Sequence, residues 1–318
     1  MQVIDLSQEI ISEKPPKVVA TLGFFDGVHM GHRHLIDQVI KEAKKLGLPS
    51  AVITFPVHPR KVLQSDYQPK LICGYTEKIA QLKTTGIDYV FSIPFTREIS
   101  LLTANDFICH VLKEQVHVDT LIIGYDHRFG RNREEGFEDY VKYGKAQGIN
   151  ILQATEMRFN DDNVSSSEVR RLLIEGDVVK ANKILTYNYT LSGKIVEGYQ
   201  VGRTIGFPTA NMKMWEKYKV VPLLGVYAVY VHFGDYIKEG MLYIGKRPTL
   251  HDDPQISVEV NIFDFNGDLY NQSLTVEFVD FIRGDEKFTT VEKLIESIHR
   301  DKVEVIARLK KENKYGTH

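Results

Sequence analysis

Cysteine is scarce in this 318-residue chain: only Cys73 and Cys109 occur, with no CxxC spacing, which excludes a disulfide framework and a thiolate zinc site. Charge of one sign is lacking too. The 40 basic and 42 acidic residues leave a formal charge of −2, and neither half carries the long basic run that tracks a nucleic-acid backbone. Any phosphate bound here must be gripped locally, by backbone amides, histidines and single arginines, which favours nucleotides over nucleic acid. No stretch approaches the roughly 18 uninterrupted apolar residues of a membrane span. Residues 1–17 mix charged with apolar side chains and contain Pro15-Pro16, so the apolar centre of a signal peptide is missing. The expectation is a cytoplasmic protein with neither nucleic acid nor membrane as partner. Internal repeats and low-complexity linkers are absent, and the length suits two domains.

Two textures divide the chain. In the first half, short apolar runs at 18–22, 51–55, 89–93, 120–123 and 150–152 read as buried parallel strands. Between the first two, Leu35, Ile36, Val39, Ile40, Ala43 and Leu46 recur at helical spacing until Gly47 and Pro49 end the segment. Thr103-x-x-Asp106 opens another helix with a capping-box-like start. The repetition predicts an α/β, doubly wound, Rossmann-like domain over 1–185. Beyond it, strands at 189–196, 226–233, 240–244, 256–263 and 274–282 are separated by turn signals at Gly234-Asp235 and Asn266-Gly267-Asp268. That pattern builds an antiparallel barrel or sandwich. The expectation for 186–318 is a β-barrel followed by a terminal helix over about 290–310, starting from a Thr289-x-x-Glu292 capping box.

The richest stretch is Thr21-Leu22-Gly23-Phe24-Phe25-Asp26-Gly27-Val28-His29-Met30-Gly31-His32. It lies between the first strand and its helix, where α/β sheets bind ligands. Glycines let backbone approach a phosphate, and a helix N-terminus offers free amides with a favourable dipole. His29 and His32 add two imidazoles. Zinc is a rival ligand for such a pair, but a third donor at fitting spacing is missing, so the stretch reads as a phosphate-binding turn.

Gly-Phe-Phe-Asp-Gly-Val-His-Met-Gly-His closely resembles the first motif of the HxGH nucleotidylyltransferases, and of bacterial bifunctional FAD synthetases in particular. His58-Pro59, the run from Ile123 through Gly130 with Asp126 and His127, and Val164-Ser165-Ser166-Ser167-Glu168-Val169-Arg170 stand where that family has its other motifs. The resemblance implies that His29 and His32 contact ATP phosphates while the FMN phosphate attacks the α-phosphorus. It further implies that Gly23, Phe24, Asp26, Gly27, Gly31 and Asp126 surround the nucleotide, and that Ser166, Ser167 and Arg170 hold the β- and γ-phosphates. Taken alone, serines before a helix mean no more than an N-cap.

The second half opens on Gly193 and runs through Gly198, Gly202, Arg203 and Gly206 to Phe207-Pro208-Thr209-Ala210-Asn211, backbone that can wrap an oligophosphate or simply form a long β-loop. A Walker lysine-serine pair is absent. Gly-Arg-x-x-Gly-Phe-Pro-Thr-Ala-Asn resembles the signature of riboflavin kinases. That resemblance implies ATP contacts from Gly198, Gly202, Thr209 and Asn211. It also implies Mg²⁺, brought with ATP, on the oxygens of Thr209 and Asn211, hard donors for a hard cation. In residues 256–263 aliphatic side chains alternate with Ser257, Glu259 and Asn261, so Glu259 points away from the aliphatic face. A solvent-facing acid is the ordinary fate of such a residue; the resemblance instead makes Glu259 the general base for the ribityl hydroxyl. Arg283, within Ile282-Arg283-Gly284-Asp285-Glu286-Lys287-Phe288, is implied to face the flavin phosphate.

The expected activity is phosphorylation of riboflavin to FMN followed by adenylylation of FMN to FAD, with riboflavin, FMN and ATP as substrates. Phe24, Val57, His127, Tyr243 and Asn261 depart from the common pattern, and none removes a reacting group. The alternative is a riboflavin kinase alone, with an N-terminal domain that binds nucleotide but is slow or inactive. A noncatalytic flavin-binding module would not require Thr209, Asn211 and Glu259 together. A general nucleotidylyltransferase leaves the second half without a purpose.

Overall fold

Val18–Leu22 is buried along its whole length, as a strand must be when both faces of its sheet are covered. A computed structural model of the chain describes all residues except 8–14, 65, 126, 132–133, 158–163, 198–201, 203–205, 247–255, 313 and 316–318. Its first strands are β1 (Gln2–Asp5), β2 (Val18–Leu22), β3 (Ser50–Thr54), β4 (Tyr89–Ser92), β5 (Val118–Ile123) and β6 (Asn150–Gln153). They form one parallel sheet in the order β1-β4-β3-β2-β5-β6. Successive residues face opposite ways, and the core divides accordingly. Val19, Val52, Val90 and Ile122 meet Ile36, Val39 and Ala43 of the helix Met30–Leu46. Ala20, Ile53, Phe91 and Leu121 meet Ile108, Val111 and Leu112 on the other face. Each large aliphatic so buried contributes about 1.5–3 kcal/mol.

The five predicted strands are present within two residues of their expected bounds, and the doubly wound class holds. The helix Met30–Leu46 ends on Gly47 at φ 65°, as its sequence required. The Thr103–Asp106 box forms too, Thr103 Oγ1 accepting from Asp106 N at 3.1 Å; the helix it opens widens to a π-helical stretch over Phe107–Gln115. β1 lay outside the expectation. Strand succession reverses between β2 and β5, which leaves the turn after β2 at the switch point where such sheets take ligands.

The chain forms two compact units, Met1–Ser166 and Ser167–His318. In the second, β7 (Thr190–Val196), β8 (Ala210–Met214), β9 (Gly225–Phe233), β10 (Tyr236–Lys246), β11 (Ile256–Ile262) and β12 (Ser273–Gly284) close into an antiparallel barrel ordered β10-β11-β8-β7-β12-β9. β8 was not among the expected strands. Gly234 at φ 52° turns β9 into β10 where the Gly-Asp pair predicted a hairpin. Leu223 N donates to Leu173 O and Asn182 Nδ2 to Phe278 O, fastening the helices that precede β7 to this barrel. The terminal helix, Val291–Glu312, buries Val305 and Leu309 against Tyr230, Met241 and Phe263. Its cap is one residue later than predicted: the Thr290 hydroxyl, not that of Thr289, accepts from the Lys293 amide at 3.3 Å.

Candidate active sites

The turn after β2 is held in an unusual backbone conformation. Phe25, Gly27 and Val28 all have positive φ, at 55°, 78° and 41°, costly for Phe and more so for a β-branched Val. Burial holds them there, since Phe25 is 2% exposed and Val28 fully enclosed. His29 then caps the helix Met30–Leu46, and its buried ring stacks on that of His32 with centroids 3.7 Å apart. Phe25 meets His32 edge-on at 5.1 Å. The two imidazoles predicted to act together therefore do stand together, at the first turn of a helix whose dipole favours an anion.

Beneath the turn lies a layer of polar groups. Asp26, expected among the nucleotide contacts, directs its carboxylate inward, accepting from the amides of Ile72 and Cys73 at 3.0 and 3.2 Å. Lys78 is 2% exposed and donates to Phe24 O at 3.0 Å, Phe55 O at 2.8 Å and Thr54 Oγ1 at 3.2 Å. Its ammonium also lies 4.1 Å from the centre of the Phe24 ring, a cation–π contact. Burial pushes its pKa down to about 8, although Cys73 and Asp26 pull the other way. Gly23 and Gly27 are buried, while Phe24 and Gly31 are half-buried. Ser166 Oγ donates to Asp26 O at 3.1 Å, which brings Ser166 to the same turn. Ser167, exposed, and Arg170, half-buried, stand in the helix Ser166–Glu175 of the second unit. Asp126 lies outside the described residues.

In the barrel, Glu259 on β11 pairs with Asn211 on β8 on one side and with Tyr243 on β10 on the other. Thr209 Oγ1 donates to Glu259 Oε2 at 3.3 Å and Ser257 Oγ to Oε1 at 2.8 Å. Asn211 is 7% exposed. Asn261 Nδ2 donates to Pro208 O at 2.7 Å and so fixes the approach to Thr209. Gly202 closes the preceding loop: its carbonyl accepts from Phe207 N at 2.8 Å, and a Cβ on Gly202 would collide with Phe207 O. The expected base and both expected metal ligands are thus neighbours. Gly198 lies outside the described residues.

Glu259 and Thr209 line a cavity of about 560 Å³ together with the apolar side chains of Phe207, Val226, Met241 and Ile298. Such a mixed lining suits a ligand that joins a flat aromatic ring to a hydroxylated chain. A second cavity, about 470 Å³, shares Thr209 and is bounded by Ile195, Val260, Phe265 and Leu269. Arg283 lines the first cavity, but its guanidinium is spent within the protein: Nε and Nη2 both reach Asp301 at 2.9 Å, and Nη1 reaches Gly284 O at 3.0 Å.

Comparison with known proteins follows the same division. A FAD synthetase family model matches residues 11–168, and a riboflavin kinase family model matches residues 185–309. A bifunctional riboflavin kinase/FMN adenylyltransferase from Listeria monocytogenes is 36% identical over 284 residues, 89% of this chain and 90% of the relative. One of the same description from Escherichia coli is 35% identical over 295 residues, 92% and 93% of the two chains. The chain belongs to this bifunctional family. A crystal structure from Streptococcus pneumoniae, described as a macrolide-efflux protein, has a TM-score of 0.85 at 30% identity, covering 94% of this chain and 97% of that one. No helix among the described residues here is long and apolar enough to cross a membrane.

The sequence gives no sign of Lys78 in the site or of the contact that Tyr243 makes. Lys78 sits in a helix, Tyr75–Lys83, rich in polar residues, and only its place under Phe24 and Phe55 distinguishes it from a solvated lysine. Tyr243 donates to Asp285 Oδ1 at 2.7 Å, both residues lining the larger cavity, a contact between distant positions that no local pattern announces.

Proposed function

We propose that the barrel phosphorylates riboflavin with ATP to give FMN, and that the parallel-sheet domain adenylylates FMN with a second ATP to give FAD and pyrophosphate. The functional boundary is placed at 185/186, just before the first barrel strand. The observation that carries the kinase reading is the convergence of Thr209, Asn211 and Glu259, with Asn211 the cross-strand partner of Glu259, and Thr209 and Glu259 lining a cavity shared with apolar side chains.

Glu259 accepts the proton of the ribityl 5′-hydroxyl as that oxygen bonds to the γ-phosphorus of ATP. The bond from the γ-phosphorus to its bridging oxygen breaks, and ADP leaves. A divalent cation, Mg²⁺ in this reading, arrives with ATP and supplies charge neutralisation for the oligophosphate. Thr209 Oγ1 and Asn211 Oδ1 are hard oxygen donors suited to hold it. The Thr209 hydroxyl directs its hydrogen toward Glu259, which leaves the oxygen lone pairs for a cation.

In the first domain, an FMN phosphate oxygen bonds to the α-phosphorus of ATP and pyrophosphate departs. The stacked His29 and His32 at the helix start stabilise the charge that builds on the phosphates. Ser166, Ser167 and Arg170 serve the β- and γ-phosphates. Lys78 and Asp26 support the turn from below rather than touching substrate. The kinase-only alternative is disfavoured by the FAD synthetase match over 11–168 and by the intact histidine stack. A cytoplasmic location is part of the reading, supported by two free thiols.

The test is direct. The protein incubated with riboflavin, ATP and Mg²⁺ should yield both FMN and FAD on chromatography. FMN without FAD would restore the kinase-only alternative, and the absence of both products would overturn the proposal.

A further inference from the structure

Tyr243 occupies a special place beside the proposed base. It is the cross-strand neighbour of Glu259 and lines the same cavity. Its phenol oxygen donates to Asp285 Oδ1 at 2.7 Å. Asp285 begins an exposed, irregular segment, 285–290, that joins β12 to the terminal helix and contributes Glu286, Phe288 and Thr290 to the cavity wall. Just before it, Arg283 is bound to Asp301 of that helix. The segment is therefore tied to the helix through Arg283 and to the barrel through Tyr243.

The tie depends on a second feature of β10. Residue 245, next on the same face of the strand, is glycine, and a Cβ there would overlap the Tyr243 ring and hydroxyl. The ring can lie along the strand toward Asp285 because that space is empty. Burial, reinforced by the bond to Asp285, pushes the phenol above its ordinary pKa, so it keeps its proton and stays a donor at neutral pH.

We propose that Tyr243 is a positioning residue for riboflavin: by holding Asp285 it pre-forms the 285–290 wall of the flavin cavity, setting how tightly riboflavin is held more than how fast the phosphoryl group moves. The inference rests on the kinase reading of this cavity. An irregular segment that must be ordered on binding subtracts its lost conformational freedom from the affinity. One already clasped in place subtracts less.

The experiment uses the full chain, with riboflavin varied at saturating ATP. Tyr243→Phe keeps the ring and removes the bond, and should raise the riboflavin KM about tenfold, the scale of a hydrogen bond to a charged group, while kcat changes far less. FAD formation from supplied FMN should stay at the parent level. Asp285→Ala should give the same rise, and the double variant no more than either, because the bond is lost once. Asp285→Asn, whose amide oxygen still accepts from the phenol, should recover most of the affinity. Gly245→Ala, which displaces the ring, should weaken riboflavin as Tyr243→Phe does. An unchanged KM in Tyr243→Phe, additive effects in the double variant, or no rescue by Asp285→Asn would each overturn the proposal. Riboflavin affinity is read in parallel from quenching of flavin fluorescence. If the parent bound riboflavin yet made no FMN, the kinase reading would fail, while the affinities of the variants would still decide the role of Tyr243.

Discussion

The hydroxyl of Thr209 donates to one oxygen of Glu259 at 3.3 Å while Ser257 donates to the other at 2.8 Å. Two short side chains thus fix the plane of the carboxylate, and the residue proposed to hold the metal also orients the residue proposed to take the proton. The two roles are mechanically linked. A carboxylate so clamped has little freedom left to lose when the substrate hydroxyl arrives.

Glu259→Gln preserves the shape and much of this clamp but cannot accept a proton. FMN formation should fall about a hundred- to ten-thousand-fold, the usual range for a general base, while FAD formation from supplied FMN continues. Quantifying both products by chromatography at saturating ATP checks this. Near-parent FMN formation would remove Glu259 from the role.

His29→Ala should do the reverse. The ring is buried and stacked on His32, so its loss deletes one imidazole and the stacking partner of the other. FAD formation should drop about a hundredfold or more, the range for removing one group that stabilises transition-state charge. FMN formation should persist, and the two-histidine variant should be little worse than the single one because the rings act as a unit. A loss confined to FMN formation would contradict the assignment of the two domains.

The parallel strands were legible because a strand covered on both faces is an uninterrupted apolar run, and the turn after β2 because glycines and paired histidines at a strand-to-helix junction have few other uses. Glu259 was legible from alternation alone as a residue facing away from the aliphatic side of its strand. β8 escaped because Ala-Asn-Met-Lys-Met has no β-branched residue; its ladders to β7 and β11 make it a strand. β1 escaped because a four-residue edge strand depends on its pairing with β4. The pairing of Arg283 with Asp301 was hidden for a different reason, since Asp301 lies in the terminal helix and no local pattern announces the contact.

Glu277 supplies a stability prediction. It is 5% exposed and takes hydrogen bonds from Lys314, His232 and Tyr315 at 2.5, 2.8 and 2.9 Å, pinning the chain end to the barrel. Burial alone would raise its pKa, but the hydrogen bonds from His232, Lys314 and Tyr315 and the charge of Lys314 outweigh it and hold the carboxyl at about 2. The folded value lies below the ordinary 4.5, so the contribution is complete above that ordinary value and is lost as pH falls through about 2. Glu277→Gln should cost about 3 kcal/mol at pH 7, as breaking a buried charge cluster does. The gap to the parent should shrink toward pH 2 in urea unfolding, and a gap that stayed constant would exclude the mechanism.

Lys78 tests whether the turn after β2 keeps an unfavourable charge for the sake of activity. Its folded pKa of about 8, against an ordinary 10.5, reflects burial first, with Cys73 and Asp26 opposing. Between those values the unfolded chain holds the proton and the folded chain does not, so the contribution of this site to stability rises as pH increases from about 8 to 10.5. Below pH 8 the buried charge is a standing cost of about 3 kcal/mol. Lys78→Met removes that cost but leaves Phe55 O without this donor, a loss of about 1–3 kcal/mol. The variant should therefore melt close to the parent at pH 7. Any stability advantage it has there should shrink toward pH 10. Its FAD formation should nevertheless fall about tenfold or more, because Phe24 O loses one of its two side-chain ties and the turn loses the positive charge beneath it. FMN formation should be unaffected. Thermal melts at pH 7 and pH 9.5, run beside assays of both products, separate the two effects: a large loss of stability at pH 7 would make Lys78 a structural lysine, and unchanged FAD formation would leave the turn indifferent to it.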